Sequence, residues 1–341
     1  MTSVALTNPK VAVLLNANAK RVSRRVHSAL RHVVPEDDLF LSRSEKDARD
    51  IARTVVDRQY RTVFTGGGDG TFVSFVTEIH RFLRRSEASP RFGVLKLGTG
   101  NALAGMVGAT GGEGILDDVL RARAGEVPNV RRVDLLQAEG RLTPFAGIGL
   151  DAKVLNDYMR TKKKLAAGRW KSLATGGPGY ALAIAGRTLP WVLTHRKSPE
   201  IEVVNTGGTA YLMGKDGKPV REFGPGEVMF RGRSKVCAAG TVPYYGFGFR
   251  MFPYAGSRRG KMQLRLTDLP AIKILSHLDS IWAGRFRDDG LYDFLADSVV
   301  IRSEEKLPFQ VGGDAEGYRD EVELSVAPSP VDLVDFSAAL A

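Results

Sequence analysis

Thr65-Gly66-Gly67-Gly68-Asp69-Gly70-Thr71 follows the apolar run Thr62-Val63-Phe64 and precedes a helical pattern, and its reading decides the fold of this 341-residue chain. Three consecutive glycines let the backbone turn sharply and approach a ligand closely, so successive amide N–H groups can converge on an anion at a helix N-terminus. Asp69 qualifies that picture. A carboxylate beside a polyphosphate is repelled unless a divalent cation bridges them or the acid handles a proton, which points to metal-assisted phosphoryl chemistry over plain anion capture. The same residues also suit an ordinary tight loop with an acidic N-cap, and the stretch alone leaves both readings open.

Outward from this turn, strand-like and helix-like patterns alternate. Strands are expected at 11–15, 39–41, 62–65 and 93–97, with helices at 22–33, 45–58 and 72–84 and another after the last strand. Alternation of this kind implies a parallel sheet wrapped by helices, with ligands at the carboxyl ends of the strands. A second glycine turn, Leu97-Gly98-Thr99-Gly100-Asn101, also stands at an expected strand end, so the two turns can face one crevice. Its Thr and Asn side chains can donate to phosphate or ribose oxygens, although a helix N-cap loop would read the same way in isolation. Beyond about residue 135 the pattern changes to short β-type runs at 201–204, 210–213, 227–230, 235–238, 247–252, 262–266, 298–301 and 321–326, separated by Gly, Pro and Asp. Helical insertions are expected at 152–164 and 271–283. The fold class is therefore an α/β N-terminal domain with a parallel sheet, over 1–135 and with 329–341 a candidate to complete it, plus a mostly antiparallel β-rich C-terminal domain over 136–328.

Composition bounds the partners. Hydrophobic content of 43% with 26% charge is ordinary for a globular protein, and the length suffices for two cores. The net charge of +11 and pI near 9.7 favour anionic partners: nucleic acid, acidic membrane or phosphorylated small molecules. The single cysteine, Cys237, excludes an intramolecular disulfide and a cysteine-rich metal site, which fits a reducing compartment such as the cytoplasm. No signal peptide is expected at the N-terminus, and the apolar stretch 173–193 is interrupted by glycine, arginine and proline, too broken for a membrane span. No Walker A motif occurs. Gly147-Ile148-Gly149-Leu150-Asp151-Ala152 fits a loose dinucleotide fingerprint, but no βαβ unit follows it. The five histidines have no ligand spacing.

These residues resemble the diacylglycerol kinase-like lipid kinases, a family that includes sphingosine and ceramide kinases. Gly67-Gly68-Asp69-Gly70-Thr71 looks like its GGDGT loop and Gly98-Thr99-Gly100-Asn101 like its GTGN loop. Asn16 resembles the Asn of its NPxSG motif, Ser42 stands where a nucleotide-contacting Thr is usual, and the 147–152 segment resembles its GFGxDA segment, whose Asp151 is assigned to substrate. Asp314-Ala315-Glu316 resembles its DGE motif. The resemblance implies the NAD kinase/diacylglycerol kinase-like fold, ATP, Mg²⁺, and transfer of the γ-phosphoryl to the hydroxyl of a diacylglycerol, sphingoid base or ceramide. On that scheme Asn16, Ser42, Gly67, Gly68, Gly70, Thr71, Gly98, Thr99 and Asn101 hold nucleotide, Asp69 serves metal or proton transfer, Asp314 is the base, and Glu316 orients metal or ribose. Departures are the loss of Pro, Ser and Gly after Asn16, Ser74 in place of a Glu, Ala315 in place of a turn glycine, and Arg259 where an Asp that can support a structural magnesium is expected.

Between Tyr158 and Glu200 nine Lys/Arg face one acid, with Trp170 and Trp191 interleaved. Such a stretch suits docking on an anionic membrane surface, or else a solvated basic face. The expected partners are a lipid substrate and that surface rather than nucleic acid, in a cytoplasmic, peripherally membrane-associated protein; a homodimer is compatible with the sequence. Two rivals stand beside the lipid kinase: a soluble NAD kinase-like phosphotransferase, and a non-catalytic basic protein on a decayed kinase fold.

Overall fold

The computed structural model describes residues 10–19, 21–84, 87–98, 100–126, 129–150, 152–153, 198–246 and 248–337. Thr99, Asp151, the expected helix beyond residue 153 and nearly all of the basic, tryptophan-bearing stretch lie outside them. The chain divides into two compact units, Met1–Val133 with Gly246–Gly248 and Ser329–Ala341, and Asp134–Tyr245 with Phe249–Pro328.

The first unit contains β1 (Val11–Asn16), α1 (Arg24–Arg31), β2 (Leu39–Ser42), α2 (Glu45–Asp57), β3 (Thr62–Gly67), α3 (Asp69–Phe82), β4 (Arg91–Lys96), α4 (Ala102–Met106), α5 (Gly114–Arg123) and β5 (Asn129–Val133), with β18 (Val331–Asp335) returning from the end of the chain. Its strands, among the described residues, are ordered β2-β1-β3-β4-β18-β5. All neighbours pair in parallel except β5, which runs antiparallel to β18. A parallel sheet is covered on both faces, and β1 accordingly buries the unbroken apolar run Val11 to Leu15. Leu15, Leu30, Phe64, Leu95, Val119, Val334 and Phe336 join one core.

Two helix starts differ from the periodicity. The expected helix at 22–33 begins at Arg24, because the Ser23 hydroxyl accepts from the Val26 amide at 3.3 Å and sets the N-cap. In α2 the same device holds: Ser44 Oγ accepts from Asp47 N at 3.1 Å while Asp47 accepts from Arg43 N at 2.8 Å. The greater difference is at the glycines. β3 continues through Gly66 and Gly67, and α3 opens at Asp69 rather than at residue 72, so strand passes to helix through Gly68 alone.

The second unit holds β6 (Leu136–Ala138), β7 (Arg141–Thr143), β8 (Phe145–Gly149), β9 (Glu200–Asn205), β10 (Ala210–Met213), β11 (Pro219–Phe223), β12 (Val228–Arg233), β13 (Val236–Gly240), β14 (Met262–Thr267), α6 (Ala271–Ser276), α7 (Leu278–Trp282), β15 (Leu291–Ala296), β16 (Ser298–Val311) and β17 (Asp314–Val326). The strands run β11-β10-β15-β14-β13-β8-β16-β17-β6-β7, with β9 joining β16 and β12, and each pairing is antiparallel. Ile148, Val203, Leu264, Phe294, Ile301, Phe309 and Leu324 form its core.

Three expectations are corrected here. Of the strand expected at 247–252, residue 247 lies outside the described residues and 248–252 form no strand: Gly246 and Gly248 take φ of 131° and 79°, and Tyr245 N donates to Phe249 O at 2.9 Å. The strands expected at 298–301 and 321–326 are the outer ends of a long hairpin, β16–β17, whose register shifts near Arg302/Leu307 and Pro308/Gln310 interrupt the alternation that would have revealed it. The helix expected at 271–283 breaks in two at His277, whose φ of −120° and ψ of 21° are not helical. The Gly147–Gly149 glycines lie in β8, between antiparallel neighbours, where no dinucleotide fold can form.

Candidate active site

In the first unit the carboxyl ends of adjacent parallel strands gather most of the expected nucleotide residues. Asn16 ends β1, Ser42 ends β2 opposite it, and Gly67 ends β3 opposite Lys96 of β4. Asn16 Nδ2 donates to Thr71 Oγ1 at 3.1 Å, and the buried Ser42 hydroxyl donates to Ser44 O at 3.0 Å. Asn16 therefore braces the end of β1 against α3, and Ser42 ties the end of β2 to the N-cap of α2. Groups open to an anion come instead from the backbone: the first amides of α3, including Gly70, have no acceptor within the helix.

The two glycine turns interlock. A Cβ at Gly98 would strike the Gly68 backbone and lie 2.7 Å from Gly67 O and 2.9 Å from Gly68 N. Only glycine permits this approach, which is a packing requirement as much as a phosphate one. Asn101 enters α4 in the left-handed region, φ 52° and ψ 46°, and its side chain closes its own turn: Nδ2 donates to Gly98 O at 2.9 Å while Oδ1 accepts from Gly98 N at 3.0 Å. One amide proton of Asn101 remains for a ligand.

Asp69 joins the turns. Its Oδ2 accepts from Ala102 N at 3.1 Å and Oδ1 from Leu103 N at 3.3 Å, so it caps α4, a task Asn101 does not perform. Desolvation pushes its carboxyl up, opposed by the amides of Ala102, Leu103, Asp69 and Asn101. Each oxygen keeps a second lone pair, and Mg²⁺ typically takes one or two carboxylates plus substrate phosphates, so a single Asp fits that ion. Among the described residues no group of three His, Cys, Asp or Glu side chains gathers, and Arg259 is exposed on a loop where Gly260 N donates to Asp134 Oδ2 at 2.9 Å.

In the second unit Asp314 opens β17 directly after Gly312 and Gly313, whose φ of 58° and 91° make a two-residue hairpin turn between Val311 and Asp314. Ala315 stands in the strand without positive φ, so its replacement of a glycine needs no strained backbone. Glu316 Oε1 lies 2.5 Å from Arg141 Nη1. The Asp314 carboxyl is raised, first by desolvation and then by the Glu316 carboxylate, with Arg141 opposing. A carboxyl held up in this way is a better match to proton transfer near neutrality than an ordinary aspartate. Asp314 is itself exposed, so water screens the neighbouring charges. Arg141 was not visible in the sequence: it lies 175 residues from Glu316 in an unremarkable β6–β7 hairpin, and only strand pairing brings the two together.

Residues 4–137 match the family model of the diacylglycerol kinase catalytic domain. No curated protein matches the chain in sequence. Among solved structures the chain is similar to a diacylglycerol kinase from Bacillus anthracis str. Sterne, at 17% identity and a TM-score of 0.60 over 97% of this chain and 98% of that one. A further structure from the same organism gives 19% and 0.61 over the same shares. An NAD kinase from Archaeoglobus fulgidus in complex with ATP is more distant, at 12% and 0.44 over 96% of this chain and 94% of that one. For the two Bacillus structures the likeness is one of fold, and it extends over nearly the whole chain.

Proposed function

From the premise that residues 4–137 form a diacylglycerol kinase-type catalytic domain in a phosphotransferase, we propose that this protein transfers the γ-phosphoryl of ATP to the hydroxyl of a lipid. The observation that carries the reading is the interlocked pair of glycine turns at the carboxyl edge of the parallel sheet, with Asp69 held between them. On this reading the amides around Gly67, Gly68 and Gly70 and the turn at Gly98 and Asn101 hold the phosphates, as does Thr99 by its place in the motif. Asn16, Ser42 and Thr71 keep those turns in register. Asp69 holds Mg²⁺, which when bound neutralises charge on the phosphates. Asp314 accepts the proton of the acceptor hydroxyl as its oxygen attacks, and Glu316 fixes Arg141 beside it.

The acceptor belongs to the glycerol-backbone or sphingoid class, both of which offer a hydroxyl beside an acyl tail. Peripheral attachment to an anionic bilayer is part of the proposal, supported by the nine basic residues and two tryptophans between 158 and 200. Purified protein with Mg²⁺ and radiolabelled ATP, tested on a panel of hydroxylated lipids in mixed micelles, should label a lipid. Label transferred to NAD alone would replace this reading by a soluble NAD kinase-like one. No transfer to any acceptor would favour a non-catalytic binding protein.

A further inference from the structure

The turn that carries Asp314 is braced by a polar chain that runs from the buried Gln310 to the half-buried Tyr245, and we infer that Tyr245 and Gln310 are positioning residues that hold the Asp314 carboxylate for proton transfer, an inference that rests on Asp314 being the base. Gln310 lies in β16 and is 1% exposed. Its Oε1 accepts from Gly313 N at 3.0 Å, and its Nε2 donates to the Tyr245 hydroxyl. Gly313 is the second residue of the hairpin turn and immediately precedes Asp314. The Tyr245 ring is gripped by Phe145, Phe252 and Phe249, with centroids 4.5, 5.7 and 6.4 Å away, so its hydroxyl is a fixed point from which the chain of hydrogen bonds runs.

Two glycines in succession give the turn large conformational freedom, and freedom at the residue before a base is harmful because proton transfer demands a fixed geometry. The backbone supplies two restraints, the Val311–Asp314 pairing and Gly312 N donating to Phe145 O at 2.9 Å. Gln310 supplies a third at the glycine adjoining Asp314. A core needing only filled volume would place an apolar side chain at 310, since a buried amide costs stability unless it finds partners. The pairing of both with each other and with the turn therefore serves geometry.

Tyr245→Phe keeps the ring packing and removes only the hydroxyl; Gln310→Met keeps the volume and removes the bonds to Gly313 and Tyr245. Each is expected to lower kcat about 10- to 100-fold with KM for ATP and for lipid unchanged, since misplacement of a catalytic group acts on the chemical step. The double variant should be no slower than Gln310→Met, and Gln310→Met should add nothing to Asp314→Asn. Wild-type kcat in Tyr245→Phe and Gln310→Met, with Asp314→Asn inactive, overturns the positioning role and leaves the base assignment standing. Raised KM values, or losses that multiply in the double variant, assign the pair to general packing and also overturn it. Full activity in Asp314→Asn removes the base assignment itself.

Discussion

Alanine at Gly98 and alanine at Gly68 should have opposite consequences, although both replace a glycine in the same interlocked turns. At Gly98 the new methyl would meet Gly67 O at 2.7 Å and Gly68 N at 2.9 Å and strike the Gly68 Cα. All of these are backbone atoms, so no rotamer change relieves the contact, and the turns must part by roughly 1 Å or more to restore ordinary carbon–carbon separations. Overpacking of this kind costs about 1–3 kcal/mol. For a unit of this size that lowers the unfolding midpoint by roughly 2–4 °C per kcal/mol. At Gly68 the nearest atom to the new methyl is Gly98 Cα at 3.6 Å, and the backbone, φ −98° and ψ −174°, is ordinary extended chain. The stability cost there is limited to about 0.5–1 kcal/mol for alanine at an N-cap. Yet the methyl covers the single residue that turns strand into helix, where phosphate would rest, and affinity for a non-hydrolysable ATP analogue should fall about tenfold or more. Thermal unfolding followed by circular dichroism and titration calorimetry with the analogue read the two effects separately. An unchanged midpoint in Gly98→Ala would refute the packing argument, and unchanged affinity in Gly68→Ala would remove phosphate from this turn.

Asp314→Asn should lower kcat about 10²–10⁴-fold while the ATP dissociation constant stays as in the wild type; comparable turnover would exclude Asp314 as base. Because desolvation by the surrounding protein atoms and the Glu316 carboxylate raise the Asp314 carboxyl while Arg141 lowers it, and solvent contact tempers all three, the base form should be lost on acidification at a pH somewhat above the ordinary aspartate range. Arg141→Met should move that acid limb to higher pH, and a pH–rate profile that stays in place or moves down would contradict the assignment. Chelation of divalent cations should abolish transfer without lowering the unfolding midpoint, since Mg²⁺ is expected to bind with the nucleotide phosphates rather than in a protein cage. Finally, Arg265 donates to both oxygens of Asp293 at 2.7 and 2.9 Å within the second core, where both are nearly inaccessible. Arg265→Met leaves a buried charge unpaired and should destabilise the second unit by about 3–5 kcal/mol in chemical denaturation, a result that an unchanged denaturation midpoint would exclude.

Much of the first unit was legible because its strands are buried on both faces and must be apolar without interruption, as Val11 to Leu15 is, while capping serines mark the helices between them. The β16–β17 hairpin was legible only at its outer ends, because bulges break the period of two on which such reading depends. The aromatic residues near Tyr245 misled for the opposite reason: they are β-formers, but Gly246 and Gly248 both take positive φ, which a regular strand does not accommodate. Within the candidate site the positions of the turns were legible, since few residues other than glycine can occupy them. The work of their side chains was not. Asn101 and Thr71 were read as ligand donors, and the structure adds a second task to each: one also closes its own turn and the other also accepts from Asn16.

The order of residues alone was enough to establish an alternating α/β half followed by a β-rich half and to locate two glycine turns, because these depend on local periodicity and on the backbone freedom of glycine; the acid pair near the end of the chain stood out only through its resemblance to a family motif. Tertiary structure alone decided that the returning end of the chain enters the sheet between β4 and β5, that Asp69 caps a helix beginning 33 residues later, and that Arg141 reaches Glu316. Those are contacts between distant segments. They are set by strand order, register and the need to partner buried polar groups, and none of these leaves a mark in any short window of sequence.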